Sequence, residues 1–207
     1  MRMLSLSLCV LRSPVTTFEA MKADRKNFRF WPIFALMLAL IVTRIAYIFW
    51  VHYPMSAVDP DDANLVTELA YYLLPIVTFA VANFGITSIL DGETKMGESL
   101  MAVMYSVMPL IIMQLPMAAL SHVMDRTGGT IFYLLDIVIW VWVIALVFTS
   151  IKVLNHYSIG KTVIVMVVDI LATLLIWAVC LLLYALANQV VLFVDGIVRE
   201  VRFAFGG

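Results

Sequence analysis

The sequence predicts an all-α fold: a polytopic membrane protein with a bundle of five transmembrane helices behind an N-terminal interfacial segment. Three observations predict it. Of 207 residues, 64% are apolar and 13% charged, with a mean hydropathy of +1.03, a balance outside that of water-soluble domains. The apolar residues fall into five runs, each long enough to supply the roughly 20 residues that cross about 30 Å of hydrocarbon. The connections between runs are short, which leaves no room between them for a soluble catalytic domain.

Residues 1–30 form the first segment. Arg2, Arg12, Lys22, Arg25, Lys26 and Arg29 alternate with Leu6, Val10, Val15 and Phe18, a mixture suited to lying along the cytoplasmic interface. Its start has the charge and apolar run of a signal peptide. Ser5 and Ser7 interrupt that run, Arg12 follows it, and no small-x-small site is present, so retention rather than cleavage is expected.

The transmembrane domain is expected over residues 31–194. Its runs are Trp31 to Val51, Leu65 to Leu90, Leu100 to Met124, Ile131 to Ile151, and Val163 to Val194. The fifth exceeds one perpendicular crossing and is expected to emerge past Tyr184. It then continues as an amphipathic tail, residues 195–207, whose polar side holds Asn188, Gln189, Asp195, Arg199 and Arg202.

Five crossings put the termini on opposite sides. With the N-terminus cytoplasmic, that side holds the six basic residues of the first segment with Lys95, Lys152 and Lys161, while the far side holds Arg126, Arg199 and Arg202. The bias favours N-in, C-out, and a bacterial cell membrane is the expected location. A net charge of −1 offers no basic excess for phosphate, which argues against nucleic acid as a partner. Cys9 and Cys180 read as small hydrophobes rather than a disulfide or metal pair.

Ionisable residues inside spans are costly and therefore informative. Arg44 and Asp136 both lie roughly 8 to 10 Å below the outer surface by helical rise. With Glu68 and His122 they make a candidate outer cluster, in which Arg44 and Asp136 are the expected pair. Asp169 lies roughly 9 Å from the inner end, at the depth of Asn83, Thr87, Tyr105 and Ser106, a candidate inner layer. Such layers serve either as an ion path or as interhelical glue. Only Gln114 lies between them near the midplane, which favours glue.

Pro75, Pro109 and Pro116 should bend spans two and three. Met101, Met104, Met108, Met113, Met117 and Met124 crowd span three, where core filling is the common use and a copper path would need soft ligands that the loops lack. No GxSxG, HExxH, P-loop or Cys–His nucleophile pair is present. Asp136 and Asp169 sit at opposite depths and cannot share a proton as a catalytic dyad. No catalytic residue, metal or cofactor is expected.

One stretch is more specific. Asp91-Gly92-Glu93-Thr94-Lys95-Met96-Gly97-Glu98, followed by Ala102, Tyr105-Ser106, Pro109 and Pro116, resembles the core signature of the Yip1 domain family. In that family a short cytoplasmic G-x-G-[ST]-[FL] turn leads into a helix with a Tyr-Ser/Ala-x-x-Pro motif. Pro14, Phe18 and Lys22 ahead of five spans and Pro75 in the second match its order of elements, so the resemblance runs from Pro14 to Phe193. Thr94 stands where the family has its second glycine and Met96 where it has its large apolar residue. The chain reads as a compact, bacterial-type member without the long cytoplasmic tail of eukaryotic members.

The resemblance implies a non-enzymatic multi-pass protein that binds other membrane proteins. In eukaryotic members those include Rab-type GTPases, an identity that does not carry over to a tail-less chain. Physically, Asp91 or Ser99 can cap the helix that follows the turn, and Gly92 and Gly97 permit unusual backbone angles. Asp91, Gly92, Glu93, Lys95, Gly97 and Glu98 are the candidate partner-docking residues, and the alternative is that the turn is a simple connector between two spans. The expected role is a scaffold or accessory subunit, with transporter subunits among its possible partners. The alternative is a small transporter or channel using Arg44, Asp136 and Asp169.

Overall fold

The computed structural model describes residues 8–24, 30–52, 64–124 and 128–205, with side chains to residue 200. Arg2, Ser5, Leu6, Ser7, Arg25, Lys26, Arg29, Arg126 and the side chain of Arg202 lie outside the described residues. Seven helices follow a short helical turn at residues 8–12: α1 (Pro14–Ala23), α2 (Trp31–Trp50), α3 (Leu65–Ile89), α4 (Met96–Ser106), α5 (Met108–Ser121), α6 (Gly129–Asn155) and α7 (Ile159–Phe205). There is no strand among the described residues. Among the described residues five stretches are long and apolar enough to cross a membrane, with α4 and α5 together forming the third.

That third stretch is the axis of the bundle. It is 67% buried, against 28% or less for each of the others, and α4 touches α2, α3 and α6 while α5 touches α2 and α6. Its composition explains the position. Ser99, Ala102, Ser106, Ala118 and Ser121 are small and buried, which lets neighbouring backbones approach. Met101, Met104, Met108 and Met117 are buried between them and fill the irregular gaps that remain.

Span three, expected as one bent helix, is instead two helices meeting at Val107. Pro109 has no N–H for the Tyr105 carbonyl and its ring crowds that carbonyl. The chain therefore passes Val107 at φ −86° and ψ 4°, and a new helix starts with the proline in its first turn. Pro75 and Pro116 stay inside continuous helices.

The N-terminal segment does more than lie along an interface. Val10, Phe18 and Met21 are buried in the same apolar cluster as Met101, Tyr105 and Leu154, and α1 packs against α6.

By contact clustering the chain divides into two units, residues 1–169 and 170–207. The first holds α1 to α6 and the start of α7. The second is one helix, with no break where a tail was expected to leave the membrane. Leu174, Leu175, Val179, Leu181, Leu182 and Leu183 are all exposed on it. An all-round apolar surface suits surroundings of lipid. Near its end Arg199 and Asp195 pair one turn apart at 2.6 Å.

Candidate functional site

Two helices end in the left-handed conformation at the same end of the bundle. After α3, Asp91 has φ 58°, and after α6, His156 has φ 53°. In each case the next amide reaches back five residues, Gly92 N–H to the Thr87 carbonyl at 2.7 Å and Tyr157 N–H to the Lys152 carbonyl at 3.1 Å. This is the helix-ending geometry that glycine usually supplies. Asp and His are among the few other residues that enter the left-handed region readily.

Gly92, expected to take an unusual backbone angle, does not have a positive φ. It is glycine for lack of room. A Cβ there would lie 2.6 Å from Asn155 Oδ1, 2.7 Å from the Thr87 carbonyl and 2.7 Å from the Tyr157 hydroxyl.

The two ends are tied together by side chains whose bonding role the sequence did not reveal, and two of them, Asn155 and Tyr157, it did not single out at all. The Thr94 hydroxyl donates to Asn155 Oδ1 at 2.6 Å and its amide does so at 3.2 Å. The Leu90 carbonyl at the end of α3 accepts from the Tyr157 hydroxyl at 2.9 Å and from Lys161 Nζ at 2.8 Å. Lys22 of α1 donates to the Leu154 carbonyl at 2.8 Å and pairs with Glu93 at 2.8 Å. Cations placed on the last carbonyls of a helix satisfy orphan acceptors and oppose the helix dipole. Burial raises the pKa of the Tyr157 hydroxyl above its ordinary value, and the negative charges of Asp91 and Asp169 add to the effect.

Neither Asp91 nor Ser99 caps α4. Lys95 is the cap residue, and its amide donates to Glu98 Oε2 at 3.0 Å. Ser99 instead donates to the Ala80 carbonyl at 2.9 Å and to Asn83 Oδ1 at 3.1 Å. Asn83 in turn donates to Asp169 Oδ2 at 2.6 Å. All three side chains are buried, so the turn continues into a polar core below it. Thr87 and Ser106 turn their hydroxyls to carbonyls of their own helices, Asn83 and Ala102. Tyr105 is fully buried.

The result is a turn fixed from beneath and open above. Thr94, Glu98 and Ser99 are buried, while Asp91, Glu93, Lys95 and Met96 are exposed and Gly92 and Gly97 lie between. A family model for the Yip1 domain matches residues 8–182. The chain belongs to the Yip1 domain family. No curated protein and no solved structure matches it. Yip1 proteins are membrane proteins that interact with other proteins, and this one is an integral membrane protein. The match takes in α1, the turn and Asn155 to Lys161, the parts that meet at this end of the Yip1 domain.

The second candidate group lies toward the opposite end. Arg44 pairs with Glu68 at 3.2 Å, rather than directly with Asp136. Its guanidinium lies over the Tyr72 ring at 4.5 Å and near that of Tyr47 at 5.4 Å. Asp136 lines a cavity beside Arg44, Tyr47, Tyr72 and Gln114. His122 is elsewhere: it stacks on His52 with ring centroids 5.4 Å apart and its Nδ1 lies 3.0 Å from the Ala118 carbonyl. Beside it, the His52 amide donates to Ser121 Oγ at 2.9 Å. The cavity lining does not include Asn83 or Asp169. Among the described residues no group of three or more His, Cys, Asp or Glu side chains is placed to hold a metal ion.

Depth along a helix is readable from sequence, but which way a residue faces around the axis is not. Thr94, Asn155, Tyr157 and Lys161 left one signal, polar residues concentrated in two loops on the same side of the membrane.

Proposed function

We propose that this Yip1 protein is a non-enzymatic scaffold or accessory subunit that binds other membrane proteins through the Asp91–Glu98 turn. The turn faces the cytoplasm of a bacterial cell, with the N-terminus on that side and the C-terminus outside. Transporter subunits are one class of partner that this reading admits. The supporting observation is that Thr94, Asn155, Tyr157 and Lys161 fasten the turn from below by hydrogen bonds while Asp91, Glu93, Lys95 and Met96 remain exposed. A surface fixed before binding loses less entropy on docking.

Co-purification in mild detergent tests it. A membrane protein should be recovered in fixed ratio with the wild-type chain and lost with Lys95→Glu, at unchanged yield and thermal stability. Recovery of a lone chain across several detergents, or a partner indifferent to Lys95→Glu, would count against the reading.

A second reading, a small transporter using Arg44, Asp136 and Asp169, draws support from the cavity at Arg44 and Asp136. It requires the cavity to join the layer of Asp169. Reconstituted protein should then move an ion or solute across liposomes, with flux altered by Asp169→Asn.

A further inference from the structure

Four helices converge on the cavity beside Arg44. Arg44 and Tyr47 come from α2, Tyr72 from α3, Gln114 and Met117 from α5, and Asp136 and Ile139 from α6. Its volume is about 40 Å³. Two side-chain atoms of lining residues are buried and have no hydrogen-bond partner among the described residues: Arg44 Nε, a donor, and Gln114 Oε1, an acceptor. Gln114 is only 6% exposed, and its amide nitrogen already donates to the Tyr72 hydroxyl at 2.9 Å. Asp136 is exposed, so the cavity runs from the bundle surface inward to Gln114.

The signs of the orphan groups identify the occupant. A bare cation would satisfy Gln114 Oε1 but leave Arg44 Nε–H without an acceptor beside an existing positive charge. A bare anion would satisfy Arg44 and face both Gln114 Oε1 and the Asp136 carboxylate. Only a molecule that both donates and accepts serves both groups, and the cavity holds about three water molecules at roughly 10 to 15 Å³ each.

We propose that this cavity is a built hydration site, in which ordered water accepts from Arg44 Nε, donates to Gln114 Oε1 and bridges both to the Asp136 carboxylate. Asp136 is then the second carboxylate of Arg44, reached through water where Glu68 is reached directly. A bridging water makes such a pair nearly as favourable as direct contact. The site ties Asp136 of α6 into a level where direct side-chain hydrogen bonds join α2 to α3, through Arg44 and Glu68, and α3 to α5, through Tyr72 and Gln114.

Hydroxyl-radical footprinting of the chain in lipid nanodiscs tests this, because radicals formed from bound water oxidise the side chains beside it. Tyr47, Tyr72 and Met117 should be oxidised severalfold faster than Met101 and Met104, which are buried in the apolar core. Gln114→Met should reduce labelling at Tyr72 severalfold. Equal, slow labelling of Met117 and Met101 in the wild-type chain would overturn the proposal. So would an experimental structure in which Asp136 contacts Arg44 Nε directly or an acyl chain fills the cavity.

Discussion

The Thr94 hydroxyl donates to Asn155 Oδ1 at 2.6 Å, joining residues 61 positions apart in sequence, and both side chains are buried. Removing the Thr94 hydroxyl leaves Asn155 Oδ1 only the longer bond from the residue 94 amide, and removing Asn155 leaves both Thr94 donors without that acceptor in a buried place, at a cost of about 1 to 3 kcal/mol. Thr94→Val and Asn155→Leu should each lower the unfolding free energy in detergent by that order. The double variant should lose clearly less than the sum of the two. Additive losses would show that the two residues act separately.

Gly92 and Asp91 should respond in opposite directions. Gly92→Ala forces a methyl group to within 2.6 Å of Asn155 Oδ1 and 2.7 Å of a backbone carbonyl, and overpacking of this kind costs about 1 to 3 kcal/mol. Asp91→Gly removes a Cβ from a residue at φ 58°, so its stability should hold or rise, by at most about 1 kcal/mol. Thermal unfolding of the two variants beside the wild type reads both signs.

Much of the architecture was legible because crossing a bilayer is a matter of length and hydropathy, both properties of the linear sequence. The break at Val107 was half legible: Pro109 announced a bend, but whether a helix bends or restarts depends on its neighbours. Counting depth put Arg44, Glu68 and Asp136 at one level. It carried no angle around the helix, so it did not reveal that Glu68 meets Arg44 directly or that His122 turns to His52. At the turn, glycine drew attention as the flexible residue, whereas the left-handed position is held by Asp91 and Gly92 is needed for clearance. Thr94 looked like a missing glycine, but its hydroxyl makes the bond that ties the turn to Asn155.

Tyr157 carries a pH dependence whose sign follows from its surroundings. Burial first, then the charges of Asp91 and Asp169, raise its folded-state pKa above the ordinary value. The contribution to stability is complete below the unfolded-state pKa, about 10, and is lost as pH rises from there through the folded-state value. The stability difference between wild type and Tyr157→Phe should therefore be constant near neutral pH and shrink in alkali. A difference that grows above that range would reverse the assignment.

Asn83 and Asp169 form the deepest polar contact of the turn end, at 2.6 Å with both side chains buried. Hydrogen bonds to charged groups contribute about 1.5 to 3 kcal/mol. Asn83→Leu should cost at least that much and loosen the turn above it. Hydrogen exchange at the amides of Thr94 and Lys95 should accelerate in the variant, while that of α5 stays unchanged. Unaltered exchange at Thr94 would mean that the layer below does not support the turn.

Photo-crosslinking in intact membranes tests the proposed docking role of the Asp91–Glu98 turn most directly. A photoreactive residue at Lys95 or Met96 should yield one discrete adduct with the same membrane protein from both positions. That adduct should be lost when Asn155→Leu unfastens the turn. Adducts to lipid alone, or the same pattern from Val66 at the other end of α3, would contradict it.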